Sequence, residues 1–190
     1  FTAQLQAPVA AMAYWDASYP GMNESFDRSN TVQTTNLADG YSTGGSLGSG
    51  TQWDPYLLRT PEDLEQLRTM PNAWFRLEND IDFRGRTFSP IKEFSGVLEG
   101  NNHAIYGLSY DFATGESIRA AALIWNLTSE GRIENLTLSC TMDGGKLENA
   151  DGGGLVLSNG GTIMGCAVTV YAANCHAIGG ITRNNTSSGI

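Results

Sequence analysis

The stretch Ile105-Tyr106-Gly107-Leu108 returns as Ile133-Glu134-Asn135-Leu136 and as Ile163-Met164-Gly165-Cys166, and Ile190 opens a fourth copy. Read from 105 to 133, 163 and 190, the isoleucines recur at a nearly constant spacing. A second series, Val97, Leu123, Leu155 and Ile181, runs beside the first at a similar but less even spacing. Each of its members follows two small residues: Ser95-Gly96, Ala121-Ala122, Gly153-Gly154 and Gly179-Gly180. A unit of this length is too small to bury its own apolar face, so copies stack and share one continuous core. The expected inward ladder is Val97, Ile105, Leu123, Ile133, Leu155, Ile163 and Ile181, with Ile190 starting the next rung.

Working outward, the segment from Trp74 reads as short strands. Trp74-Phe75-Arg76-Leu77, Ile81-Asp82-Phe83 and Phe88-Ser89-Pro90-Ile91 are separated by polar or glycine-containing turns. Two or three such strands per coil, with coils about 4.8 Å apart, predict an all-β fold: a right-handed parallel β-helix, or β-solenoid. One short N-terminal capping helix is expected near residues 61–69. Thr60 supplies its cap, Pro61 suits its first position, and Glu62 and Asp63 complement its positive end. Leu64 and Leu67 form its apolar stripe, which would cover the unpaired edge of the first coil.

The expected organisation is an N-terminal extension over 1–50 and a solenoid domain over 51–190. In the extension, Phe1, Ala3, Leu5, Ala7, Val9, Ala11 and Ala13 alternate at first with polar neighbours, the pattern of a strand with one buried face. Pro8 confines such a strand to an edge. The run Tyr41 to Gly50 is rich in Gly and Ser and reads as a linker. A start at Phe1 rather than Met is expected to follow removal of a targeting segment.

The formal net charge of −9, with no basic run, argues against nucleic acid or an anionic membrane surface as partner. No apolar run approaches the length of about 18 residues that spans a membrane. Only 16% of residues are charged, a profile common in secreted bacterial β-proteins. The expected location is therefore extracellular, at the cell surface.

The segment Gly50-Thr51-Gln52-Trp53-Asp54-Pro55-Tyr56-Leu57-Leu58, the Thr60-Pro61-Glu62-Asp63-Leu64 helix start, Leu77-Glu78-Asn79-Asp80-Ile81-Asp82-Phe83 and Phe94-Ser95-Gly96-Val97-Leu98-Glu99-Gly100-Asn101-Asn102-His103-Ala104-Ile105 follow in that order. Over residues 50 to 190 the chain resembles the GLUG-repeat family of bacterial and archaeal surface proteins. The resemblance implies a module of a large adhesin-like protein, with no common catalytic motif and no cofactor.

No residue is assigned a catalytic role and none a metal. Asp80 and Asp82 are the closest carboxylate pair on one strand face, but hydrolysis of a glycoside needs two carboxylates facing one sugar, and turn and edge hydrogen bonding is the expected role. Asp143 and Asp151 bracket an insertion, Gly144 to Ala150, where binding function or neutral drift would both be tolerated. His103 sits in a turn, and neither it nor His176 neighbours a nucleophile. Cys140 and Cys166 are offset by four strand residues, about 13 Å, too far to bridge. Cys166 is expected to be a small buried apolar residue, and Cys175-His176 lacks the partners of a zinc site. Trp53, Trp74, Trp125, Tyr106 and Tyr110 either fill coil ends and corners or include a sugar-stacking platform. Asn-x-Ser/Thr triplets at Asn23, Asn126, Asn135 and Asn184 would matter only in a eukaryotic secretory host, whereas the chain reads as bacterial or archaeal.

The leading expectation is a non-enzymatic extracellular structural or adhesive module, able to self-associate or to bind other surface proteins and glycans. The unfinished copy at Ile190 and the strand-like Phe1 to Ala13 suggest head-to-tail assembly into a filament, with Phe1, Ala3, Leu5, Ala7 and Val9 pairing across the open end at Ile190. The alternatives are a carbohydrate-active β-helix enzyme and a carbohydrate-binding module. Because Ile133 is expected at the centre of the core, Ile133→Asp should unfold the stack locally. A thermal melt as high as that of the unmodified chain would contradict the ladder.

Overall fold

The computed structural model describes residues 47–110, 120–145, 150–186 and 188–190, all within the compact unit Ser46–Ile190. The alternating segment Phe1 to Ala13 and the rest of 1–46 lie outside the described residues. The first strand, β1 (Tyr56–Leu58), leads into two helical turns, α1 (Pro61–Leu64) and α2 (Gln66–Thr69). Four coils follow. The first holds β2 (Trp74–Leu77), β3 (Ile81–Asp82), β4 (Thr87–Phe88) and β5 (Ile91–Phe94). The second holds β6 (Val97–Glu99), β7 (Ala104–Tyr110), β8 (Ala120–Ala121) and β9 (Ile124–Leu127). The third repeats these as β10 (Arg132–Glu134), β11 (Thr137–Asp143), β12 (Asp151–Gly153) and β13 (Val156–Asn159). The fourth holds β14 (Thr162–Met164), β15 (Ala167–Ala173), β16 (Ala177–Gly179) and β17 (Thr182–Asn185).

Strands at the same place in successive coils pair in parallel. They form four sheets: β1-β2-β6-β10-β14, then β3-β7-β11-β15 with β4 also on β7, then β8-β12-β16, and β5-β9-β13-β17. This is a parallel β-helix, the fold expected from the repeats. Period-two alternation decides which side chains face inward: along β11, Leu138, Cys140 and Met142 are buried while Thr137, Thr141 and Asp143 are exposed.

The registers revise the expected ladder. On the first face the inward column is Phe75, Leu98, Ile133 and Ile163, and its steps in sequence are markedly unequal. Ile105 belongs to the second face, where it stacks with Ile81, Leu138 and Val168. Val97 stands on the first face beside Leu98, paired with Trp74 and Arg132. Coil length varies, so near-equal spacing matched residues from different faces. Leu123, Leu155 and Ile181 do follow one another: Ile124 N–H donates to Leu155 O and Leu155 N–H to Ile181 O, both at 3.0 Å. Ile190 N–H donates to Gly161 O at 2.9 Å and Ile163 N–H donates to Ile190 O at 2.8 Å, which sets Ile190 opposite Thr162. It therefore lies one residue out of step with the inward column and is 81% exposed.

The small pairs before this second series have a steric reason. A Cβ on Gly153 would lie 1.9 Å from Val156 O, and one on Gly179 1.9 Å from Thr182 O, at the corner between the third and fourth faces. At these two positions the close approach excludes a side chain, whereas the second coil turns the same corner with Ala121 and Ala122.

The cap forms as its sequence predicts, with one difference. Asp63 N–H donates to Thr60 Oγ1 at 3.2 Å and Thr60 N–H donates to Asp63 Oδ2 at 3.0 Å, a capping box. Leu64 and Leu67 are fully buried, but the helix is divided at Glu65 into α1 and α2. Arg68, on α2, fastens the cap to the first coil. Its guanidinium donates to Pro90 O at 2.7 Å and to Ser89 O, and lies 4.8 Å from the centre of the Phe88 ring. Among the described residues, no helix is long and apolar enough to cross a membrane.

The register makes two side chains unequal that look alike in sequence. Leu98→Ala, at the centre of the first-face column, should lower the unfolding free energy by about 2 to 5 kcal/mol. Ile190→Ala should change it by less than about 0.5 kcal/mol. Equal losses in urea titrations of the two variants would argue against this register.

Candidate functional site

The features of interest divide between the lateral faces and the C-terminal end of the stack. At that end the fourth coil carries the same inward positions as the third, and among the described residues only Ile190 pairs beyond it. Ile163, Val168, Val170 and Ile178 are only partly buried, and Ile181 is 40% exposed, whereas Ile133, Leu138, Cys140 and Leu155 one coil earlier are buried. Tyr171, on the outward side of β15, is 66% exposed. Sequence reasoning singled out Ile163, Ile181 and Ile190 here and missed Val168, Val170, Ile178 and Tyr171. The signal was the register itself, which places Val168 and Val170 directly after Leu138 and Cys140.

At one corner of this coil the core turns polar. The fourth-face column runs Phe94, Leu127, Asn159, Asn185. Asn159 is buried. Its Nδ2 donates to Asn185 Oδ1 at 2.8 Å, its Oδ1 accepts from Gly161 N–H at 3.0 Å, and Asn185 Nδ2 donates to Gly189 O at 3.0 Å. Each buried amide group finds a partner, so the column can exchange phenylalanine and leucine for asparagine.

The carboxylates singled out in the sequence serve the links between and within rungs. Asp80 Oδ1 accepts from Ala104 N–H at 2.9 Å and lies 3.1 Å from His103 Nδ1, joining the first coil to the second. The Ala104 N–H, followed by His103, holds the Asp80 carboxyl below its usual range. Asp82 accepts from the Arg84 side chain at 2.6 to 3.0 Å and from Arg84 N–H at 2.9 Å, and Arg84 holds it low in the same way. Both carboxyls are thus engaged by donors within and between rungs. Asp143 accepts from Asn174 Nδ2 at 2.8 Å and from Gly145 N–H at 2.9 Å, and these donors lower its pKa. Asp151 meets His176 Nδ1 at 3.2 Å and Arg183 at 3.0 Å. Residues 146–149, inside the insertion between Asp143 and Asp151, lie outside the described residues.

The aromatics singled out in the sequence do not form one platform. Tyr110 is in the core and donates its hydroxyl to Gly154 O at 2.8 Å. Trp125 Nε1 donates to Ala120 O at 3.3 Å, and Tyr106 lies under the Arg84 guanidinium, 5.6 Å from ring centre to charge. Trp74 is half-buried on β2, while Trp53 is 91% exposed in the turn before β1.

All three cysteines are free thiols. Burial pushes the Cys140 thiol up to about 11 and raises that of Cys166 as well, so neither is a ready thiolate. Cys166 is half-buried against the core and donates to Met164 O at 3.4 Å. Cys175 donates to Ala173 O at 3.2 Å. Among the described residues there is no group of three or more His, Cys, Asp or Glu side chains placed to hold a metal ion.

No protein-family model matches the chain, and no solved structure matches it. It is similar to Halomucin of Haloquadratum walsbyi, with 30% identity over 180 residues covering 86% of this chain. The chain spans only 2% of the length of that relative.

The Asp80 link has a pH signature. A carboxyl whose pKa is lowered on folding contributes stability above its unfolded value of about 3.9, and that contribution is lost as pH falls through the lower folded value. The melting-temperature advantage of the parent over Asp80→Asn should therefore be full at neutral pH and disappear in strong acid. An advantage that is unchanged across that range would show that the link is not ionic.

Proposed function

We propose that this chain is a non-enzymatic structural and adhesive module of a large extracellular surface protein of the GLUG-repeat type, and that it works by stacking. The observation that carries the reading is the fourth coil, whose Val168, Val170, Ile178 and Ile181 offer a half-buried apolar surface bordered by strand edges. Such a surface is completed by another rung in parallel register, which would bury what is left exposed of those side chains, each gaining only part of the roughly 1.5 to 3 kcal/mol of a fully exposed one. The similarity to Halomucin, a relative of far greater length, supports a place outside the cell.

The two ends of the stack are unequal, and this sets what can dock. At the N-terminal end α1 and α2 pack on the first coil, Leu57 N–H donates to Leu47 O at 2.9 Å, and Trp74 N–H donates to Gly50 O at 2.9 Å. A second copy could not stack through that end without displacing the cap. Head-to-tail assembly would instead need a strand that reaches the open coil. The alternating segment carrying Phe1, Ala3, Leu5, Ala7 and Val9 is our candidate for it. Adhesion to other surface proteins or glycans is part of the same reading, through the lateral faces.

Size-exclusion chromatography with light scattering, and negative-stain images, test the self-association. The expected result is mass that rises with concentration and elongated particles for the chain with residues 1–13 intact, and monomers for Val170→Lys. A single monomeric species at all concentrations would refute head-to-tail assembly.

A further inference from the structure

We infer that the fourth face of the solenoid is a glycan-bearing face, with Asn126 as an N-glycan acceptor and Asn184 as a second. The outward column of that face runs Glu93, Asn126, Ser158, Asn184. Two of its four members are therefore the first residue of an Asn-x-Thr triplet, Asn126-Leu127-Thr128 and Asn184-Asn185-Thr186. Both asparagines are exposed, two rungs apart and so roughly 10 Å from each other. The amide of Asn126 has no hydrogen-bond partner among the described residues. Asn184 accepts at Oδ1 from Arg183 at 2.6 Å, which leaves its Nδ2 free of any partner among the described residues.

The third described triplet is built differently. Asn135 begins Asn135-Leu136-Thr137, but it sits in the left-handed region at φ 52°, and its Nδ2 donates to Glu99 Oε1 at 3.1 Å. The next rung closes over it: a Cβ on Gly165 would come within 2.5 Å of Asn135 Oδ1. Its amide is part of a packed corner, whereas those of the fourth face project away from the stack.

The ligand is an oligosaccharide delivered from a lipid-linked phosphate donor. The Asn126 Nδ2 forms a bond to the anomeric carbon of the first sugar, and the bond from that carbon to the phosphate oxygen breaks. The electron pair leaves on the lipid phosphate, and the amide gives one N–H proton to a base of the transferase. Nothing in this chemistry requires a eukaryotic compartment, only export of the chain past such a donor. Thr186 Oγ1 is committed to Asn159 O at 3.0 Å and Thr128 Oγ1 is shielded from solvent in the closed coil, so the triplets are read before the coil closes, and a chain carrying glycan on Asn135 could not then close its packed corner. The finished fold then keeps the glycan in solvent, on a side face that does not block axial stacking.

This inference rests on the extracellular reading, and one experiment separates the two. The protein is isolated from the organism that makes it, with cell fractions kept apart, and its tryptic peptides are analysed by intact glycopeptide mass spectrometry. Cleavage after Arg119, Arg132, Lys146 and Arg183 puts Asn126, Asn135 and Asn184 on three different peptides; the last also holds Asn185-Thr186-Ser187, so fragmentation that retains the sugar assigns the site within it. We expect sugar-sized mass additions on Ala120–Arg132 and on the peptide beginning at Asn184, lost from the former in Asn126→Gln, with Ile133–Lys146 at its unmodified mass. Extracellular protein with a bare Asn126, or with glycan on Asn135 and none on Asn126, overturns the glycan-bearing face and leaves the surface role standing. Protein confined to the cytoplasm overturns both.

Discussion

No coil of this protein can bury its own apolar side chains, and everything else follows from that constraint. A rung is one strand thick, so the face of Ile133 is closed only by Leu98 before it and Ile163 after it. The backbone bonds between rungs and the side-chain contacts between rungs are made along the same axis, and neither forms without the other. The consequence is visible in the gradient of burial. Phe75, Leu98 and Ile133 are fully buried because each has a rung on both sides, and Ile163 is not.

A stack of this kind must do something different at each end. At the first coil the chain spends a capping box, two buried leucines and the Arg68 guanidinium on covering the carbonyls of Ser89 and Pro90 and the ring of Phe88. Arginine suits this place because its planar group satisfies two carbonyls while its face lies on an aromatic ring. At the last coil the composition itself changes. Fourth-face positions that hold Ile91, Ile124 and Val156 reach Thr182, and the column of Phe94 and Leu127 reaches Asn159 and Asn185. Polar side chains that bond one another along the axis satisfy their own hydrogen bonds within the column, which is what lets asparagine replace phenylalanine and leucine there.

The parts legible in the sequence are those fixed by near neighbours. The capping helix is one, because Thr60, Pro61 and Asp63 lie within a few residues of one another and act locally. The small residues before Leu155 and Ile181 are another, because the corner they turn is short and closes on itself. The register is not legible in this way. The inward column of the first face, Phe75, Leu98, Ile133 and Ile163, advances by unequal steps, and the insertion that lengthens the second coil, between β7 and β8, carries no signal of which face it interrupts. An even spacing of isoleucines thus matched Ile105 to Ile133 across a corner. Arg68 could not be read at all, since its partners Phe88, Ser89 and Pro90 belong to the far side of the first coil and are reached only once the cap has folded down.

The same geometry assigns different work to different surfaces. Side chains facing inward are set by packing, and those at corners by backbone approach, as at Gly153 and Asn135. Only outward positions within strands are unconstrained by either, and there the residues of one column are brought to a spacing of one rung whatever the length of chain between them. Asn126 and Asn184 are separated in sequence by the whole third coil and more, yet stand two rungs apart in the fold. A solenoid can thus change the chemistry of a lateral face by single substitutions while its stacking axis stays as it is. The axis in turn is governed by the apolar edge of the fourth coil, where Val168, Val170 and Ile178 meet no further rung among the described residues. Whatever binds along the faces and whatever stacks on that edge act on separate surfaces, so one need not displace the other.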